Sequence, residues 1–190
     1  MIDQEQARIQ VVDAADPLFY RRGIQAVGMD DVRTAAGISL KRLYALFPSK
    51  DALLVAVLKG RMVEWDEGVS GVTAAAVTPR DKLLAIYDFL DGWFRQDDFR
   101  GCAFINSFGE LGAVSPGVAE LARQQKVAFQ GYVADLVEEL GGSPALAAQL
   151  AILAEGAQTT AAISGRPDAA LHARAAADVL IADELAARSA

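Results

Sequence analysis

Apolar residues recur at three- and four-residue spacing along most of the chain, as in Leu83, Ile86, Tyr87, Leu90, Trp93 and Phe94, and again in Leu146, Leu150 and Leu153. That spacing lays one apolar stripe along a helix. No stretch alternates with the period of two that a half-buried strand needs. Thr78-Pro79, Ser115-Pro116 and Ser143-Pro144 each place a hydroxyl where it can accept from a first-turn N–H, followed by a proline whose missing donor would be unpaired there anyway. Ser49, after Pro48, offers a further cap. Gly23 and Gly28 bracket the end of the first amphipathic stretch, Gly37 breaks the second, and Gly141-Gly142 and Gly165 are stops. The pattern predicts an all-α chain of about nine helices, the last two over about 144–164 and 168–187. Pro17 falls inside the first helix, where it removes a donor and crowds the carbonyl of Asp13; a kink is expected in preference to a helix that starts at Pro17.

Composition then narrows the chemistry by subtraction. One cysteine (Cys102) excludes an internal disulfide framework, and one histidine (His172) leaves almost no material for a zinc site or a Ser-His-Asp triad. The glycines over 109–117 lack the Gly-Lys-Ser/Thr ending of a phosphate-cradling loop. No catalysis, metal or cofactor is expected. Apolar runs such as 52–58 fall far short of the roughly 18 residues of a spanning helix, and no export signal is seen, so no membrane association and a cytoplasmic location are expected.

Charge is uneven. The 190 residues carry a net charge of −7, which argues against a wholesale basic coat for nucleic acid. Yet residues 1–50 hold 7 basic and 6 acidic side chains, and 32–50 contain Arg33, Lys41, Arg42 and Lys50 with no acid at all. A short segment kept cationic in an acidic chain can shape a site for an anion, although a solvated face would look the same.

The same segment has the spacing of a helix-turn-helix. Val32 and Ala36 lie one turn apart on a first short helix, Gly37 makes the turn, Ile38 enters the junction, and Leu43 and Leu46 face back from a second helix. Ser39 can cap that second helix, which leaves Leu40, Lys41, Arg42 and Tyr44 near the end that enters a DNA major groove in such motifs. Lys50 stands at the start of the following helix, where N–H groups and the dipole favour a phosphate. Arg33 must snorkel outward or reach toward DNA.

Leu18-Phe19, Arg22-Gly23, Ala36-Gly37-Ile38-Ser39, Leu43-Tyr44, Phe47 and Ser49-Lys50-Asp51-Ala52-Leu53 resemble the N-terminal signature of TetR-type (TetR/AcrR) transcriptional regulators over about residues 9–58. The resemblance implies a three-helix DNA-binding domain (1–48) and a larger helical ligand-binding and dimerisation domain (49–190). It also implies phosphate contacts at Ser39, Tyr44 and Lys50, with Leu40, Lys41 and Arg42 at base edges or nearby phosphates. Gly28 departs from the pattern, since a Ser or Thr cap is usual there; Asp30 or Asp31 in the first turn could compensate.

Beyond Pro79 the chain is studded with aromatics and then rich in alanine. Trp93, Phe104, Asn106 and Phe108, around the stretch 100–112, are the candidate ligand contacts, with Ser107, Glu110, Gln158 and Thr159 as further polar members; aromatics at this spacing also serve as plain core. By the resemblance, Leu146, Leu150, Leu153, Ala157, Ala161, Leu171, Ala175 and Val179 would form a twofold four-helix dimer interface, the alternative being that they close the subunit's own core. The expected function is a ligand-responsive dimeric repressor, released from a palindromic operator on double-stranded DNA by a small apolar or amphipathic molecule. The alternative is a helical ligand-binding protein that has lost DNA binding.

Overall fold

The computed structural model describes residues 3–189, and among them the chain forms nine α-helices and no strand. They are α1 (Gln4–Arg22), α2 (Met29–Ala35), α3 (Leu40–Leu46), α4 (Lys50–Ala74), α5 (Pro79–Phe94), α6 (Ala103–Leu111), α7 (Pro116–Leu140), α8 (Pro144–Ser164) and α9 (Ala169–Ser189). None is long and apolar enough to cross a membrane. The caps fall where the hydroxyls stand: Thr78 Oγ1 accepts from Asp81 N at 3.1 Å, Ser115 Oγ from Val118 N at 3.2 Å and Ser143 Oγ from Leu146 N at 3.2 Å. Ser49 caps α4 in the same way, accepting from Ala52 N at 3.0 Å. Gly165 ends α8 in the left-handed conformation, at φ 68°, which costs a residue without a Cβ nothing.

Pro17 does not end α1, which continues to Arg22. The proline lies on the exposed side, while Ala7, Val11, Ala15 and Phe19 form a buried stripe spanning both halves of the helix. Packing of that stripe on α2 and α3 outweighs the local cost of roughly 3 kcal/mol. A helix starting at Pro17 is therefore not what forms.

The chain divides into two compact units. One runs to Val63 and includes Ala103–Arg123; the other comprises Glu64–Cys102 and Gln124 onward. In the first, Val32, Leu43 and Phe47 are buried to 1% exposure or less and lock α2 and α3 onto α1. Burying one such side chain stabilises by about 1.5–3 kcal/mol. In the second unit, α5, α8 and α9 pack around Leu83, Leu90, Leu146, Leu150 and Ile181. There the buried Tyr87 hydroxyl donates to Leu150 O at 2.8 Å, and Glu184 of α9 braces the start of α8 by accepting from Ser143 N at 2.8 Å.

Candidate functional site

α2 and α3 build the site from short-range chemistry. Gly28 precedes α2 with no side chain to cap it, and Asp31, three residues on, accepts from Gly28 N at 2.8 Å. This supplies the half of a capping box that a glycine permits. The same bond, helped by Arg22 at 3.4 Å, holds the Asp31 carboxyl below the ordinary aspartate range. Gly37 turns the chain at φ 65°, a left-handed conformation that explains glycine at that place. Ser39 then caps α3, its Oγ accepting from Arg42 N at 3.2 Å.

With Leu43 and Leu46 buried against α1, the opposite side of α3 must face solvent. That side carries Leu40, Lys41, Arg42 and Tyr44, all exposed, with Tyr44 showing 46% of its surface. An exposed apolar-aromatic pair beside two cations, on a helix whose back is anchored, is a surface suited to groove and phosphate contacts. Arg33 is placed differently from its neighbours: its Nε donates to Asp30 Oδ1 at 2.7 Å on the same helix. Lys50 opens α4, half-buried, with its ammonium 5.9 Å from the centre of the Phe19 ring. Burial draws its pKa below the ordinary lysine value, while the carboxylates of Glu110 and Asp31 act against that.

Two contacts stiffen this body that sequence spacing does not announce. Arg8 of α1 stacks its guanidinium 4.3 Å from the Phe47 ring centre and donates to the carbonyl of Leu46, pinning the end of α3. Glu110 of α6 takes the backbone N–H groups of Ile24 and Gln25, each at 3.0 Å, one on each carboxylate oxygen. Glu110, expected as a polar member of a ligand cavity, also acts as a clamp on the loop between α1 and α2. The partners are 85 and 86 residues apart in sequence, so only the fold brings them together.

Beside the clamp lies a cavity of about 420 Å³ within the same unit, lined by Phe19, Ile24, Leu58, Asn106 and Glu110 and by the Asp16–Arg61 ion pair. Of the four candidate ligand contacts, Asn106 lines it. Phe104 is buried and Phe108, at 55% exposure, faces solvent, although both share α6 with Asn106. Trp93 belongs to the second unit, where it packs edge-on against Trp65 at 5.7 Å and Phe99 at 5.0 Å. Of the three candidates on α6, this cavity takes Asn106 and neither phenylalanine. Gln158 is buried in the second unit and Thr159 is exposed.

The eight candidate interface residues also separate. Leu146, Leu150, Ala157 and Ala161 point into the core of their own unit, each at 6% exposure or less, and Leu153 packs against that core. Leu171, Ala175 and Val179 lie on the exposed side of α9, and Ile152 and Ile163 stand exposed on α8. On α8 the candidates thus take the alternative place, in the subunit's own core, and the outward apolar residues are Ile152 and Ile163.

Residues 11–57, which span the core of the site, match the family model described as bacterial regulatory proteins, tetR family. The transcriptional activator FasR of Mycolicibacterium smegmatis is 32% identical over 153 residues, 78% of this chain and 67% of that protein. An uncharacterised HTH-type regulator of Mycobacterium tuberculosis is 26% identical over 125 residues, 66% of this chain and 62% of its own length. The chain thus spans about two thirds of the length of these curated relatives. Among solved structures, a TetR-family regulator from Streptomyces coelicolor superposes with a TM-score of 0.87 at 23% identity, covering 95% of this chain and 96% of that one.

Proposed function

The chain belongs to the TetR family of bacterial regulatory proteins, a transcriptional regulator with a DNA-binding helix-turn-helix, and from that premise we propose that it works as a ligand-responsive dimeric repressor of a palindromic operator. The observation that carries the proposal is the division of labour on α3: Leu43 and Leu46 are spent on the core, which leaves Leu40, Lys41, Arg42 and Tyr44 free on the outer side. Lys41 and Arg42 reach base edges or nearby phosphates, and Ser39, Tyr44 and Lys50 hold the backbone. Arg33 is held by Asp30 and adds only long-range attraction. In this reading residues 1–48 form the DNA-binding domain and 49–190 the ligand-binding and dimerisation domain.

Two copies would present their α3 helices to half-sites about 34 Å apart, or a multiple of that. Leu171, Ala175 and Val179, with the exposed Ile152 and Ile163, are available to hold the pair together. A small apolar or amphipathic molecule near α6 would change the half-site spacing, and a coupling of about 1–3 kcal/mol would weaken operator binding roughly 5- to 150-fold. DNase footprinting on the DNA upstream of the protein's own gene tests the reading. A protected palindrome that disappears with the K41A/R42A variant is expected. Equal footprints from the variant and the parent would overturn the assignment of α3.

The FasR relative is named a transcriptional activator, which favours a second reading in which the same DNA contact raises transcription. A reporter fused to the protected promoter separates the two: deletion of the regulator raises output for a repressor and lowers it for an activator.

A further inference from the structure

The second unit carries an open groove of about 370 Å³, lined by Trp65, Asp66, Glu67 and Ser70 of α4 and by Phe129 and Tyr132 of α7. Its walls combine two features. The first is a set of ring faces and edges held in place from behind. Trp65 packs edge-to-face against Phe89 at 5.7 Å, Trp93 at 5.7 Å and Phe129 at 5.5 Å, and the Tyr132 hydroxyl is bound to the Thr73 hydroxyl. These rings are fixed before any ligand arrives, so little ordering would be lost on binding. The second feature is charge. Two carboxylates line the groove and no lysine, arginine or histidine does. Neither Asp66 nor Glu67 has an ion-pair partner among the salt bridges of the described residues, whereas many other carboxylates of this unit do.

Rings with electron-rich faces attract cations, and unneutralised carboxylates beside them add to that attraction. An anionic guest would meet repulsion from both. A neutral apolar guest would gain nothing from Asp66 and Glu67 and would desolvate them at a cost. From this combination we propose that the groove between α4 and α7 is a binding site for an organic cation, a protonated amine on an apolar body, with the ammonium between Asp66, Glu67 and the Ser70 hydroxyl and the apolar part against Trp65, Phe129 and Tyr132. Partial desolvation already lifts the Asp66 carboxyl above the ordinary aspartate range, a strain that a bound ammonium relieves. The site shares no lining residue with the cavity lined by Asn106 and Glu110, so its occupation does not depend on the ligand reading given above.

The test uses the full-length protein and three probes of similar size: 4-phenylbutylamine, protonated at neutral pH, 4-phenyl-1-butanol and 4-phenylbutyrate. Binding is followed by calorimetry and by tryptophan fluorescence, since Trp65 lies in the wall. The amine binds at least 10-fold more tightly than the alcohol, a preference of about 1.4 kcal/mol, and the carboxylate binds weakest. In the D66N/E67Q variant the amine falls to the level of the alcohol. Both positions are exposed, and far-UV circular dichroism verifies that the helices persist. Equal affinity for amine and alcohol, a preference that survives D66N/E67Q, or no saturable amine binding below about 1 mM would each overturn the inference. DNA binding is measured on the same samples. Intact operator binding with no amine binding refutes this site alone; amine binding by a protein that recognises no DNA supports the site and refutes the regulator reading instead.

Discussion

Replacement of Glu110 by alanine is the perturbation most closely specified by the structure. The carboxylate accepts from Ile24 N and Gln25 N at 3.0 Å each, while the Gln25 side chain donates to Glu110 O at 3.3 Å and is unaffected by the substitution. Hydrogen bonds to a charged partner contribute about 1.5–3 kcal/mol when shielded from water. Ile24 is buried and its N–H would be left poorly satisfied, whereas Gln25 is exposed and its N–H can turn to water. The two bonds are therefore unequal, and the sum expected is about 2–3 kcal/mol, nearly all from Ile24. Because two compact units need not unfold together, the clean readout is local: amide hydrogen exchange at Ile24 and Gln25. A loss of about 2 kcal/mol accelerates exchange at Ile24 roughly 30-fold, with no comparable change at Leu90 or Leu150 in the other unit. The E110Q variant, which keeps one acceptor oxygen but turns an amide donor toward a backbone donor, falls in between. Unchanged protection at Ile24 in E110A would refute the clamp and the inference that α6 is tied to the α1–α2 loop.

Three further predictions follow from single contacts. Gly28→Ser gives α2 the hydroxyl cap it lacks, at a backbone of φ −89° that serine adopts freely, with room for a Cβ at 3.5 Å from Asp31. Stability should rise by about 0.5–1 kcal/mol in urea titration, and a fall would contradict the capping analysis. Asp31 has its carboxyl lowered in the folded state, so its contribution is fully present above the unfolded value of 3.8 and is lost as pH falls through the lower folded value. D31N should thus flatten the acid limb of the stability profile below about pH 4 and lower stability at neutral pH; an unaltered limb would refute the assignment. Val179→Glu places a charge on an apolar position that is 68% exposed, and should leave the helices intact while shifting sedimentation toward the monomer. A V179E protein that stays dimeric would move the interface elsewhere.

Much of this fold can be read directly from the chain. The hydroxyl-proline pairs at Thr78, Ser115 and Ser143 cap α5, α7 and α8, and the glycines at 23, 37, 141 and 165 all take positive φ where the chain must turn. The helix-turn-helix was legible because its parts are local: Ser39 caps three residues ahead, and Leu43 and Leu46 need only face back across one turn. What the chain could not display falls into two kinds. The Glu110 and Arg8 contacts join residues distant in sequence and leave no periodic mark. The role of the α8 stripe was undecided for another reason. Spacing marks Leu146, Leu150 and Leu153 as one stripe but does not say whether that stripe meets its own subunit or a second copy; neighbours on α5 and α9 decide that it turns inward, while Ile152 and Ile163 face out.

The central claim, that the outer side of α3 reads DNA, is tested most directly by fluorescence anisotropy of the protein against labelled fragments tiled from its own upstream region, across a range of salt concentrations. The account predicts tight binding to one fragment that contains a palindrome. Lys41, Arg42 and Lys50 from each of two copies would give a slope of log affinity against log salt of roughly −5, and K41A/R42A would make it shallower. Binding that is equal for every fragment, or that keeps its affinity and salt slope in K41A/R42A, would contradict it.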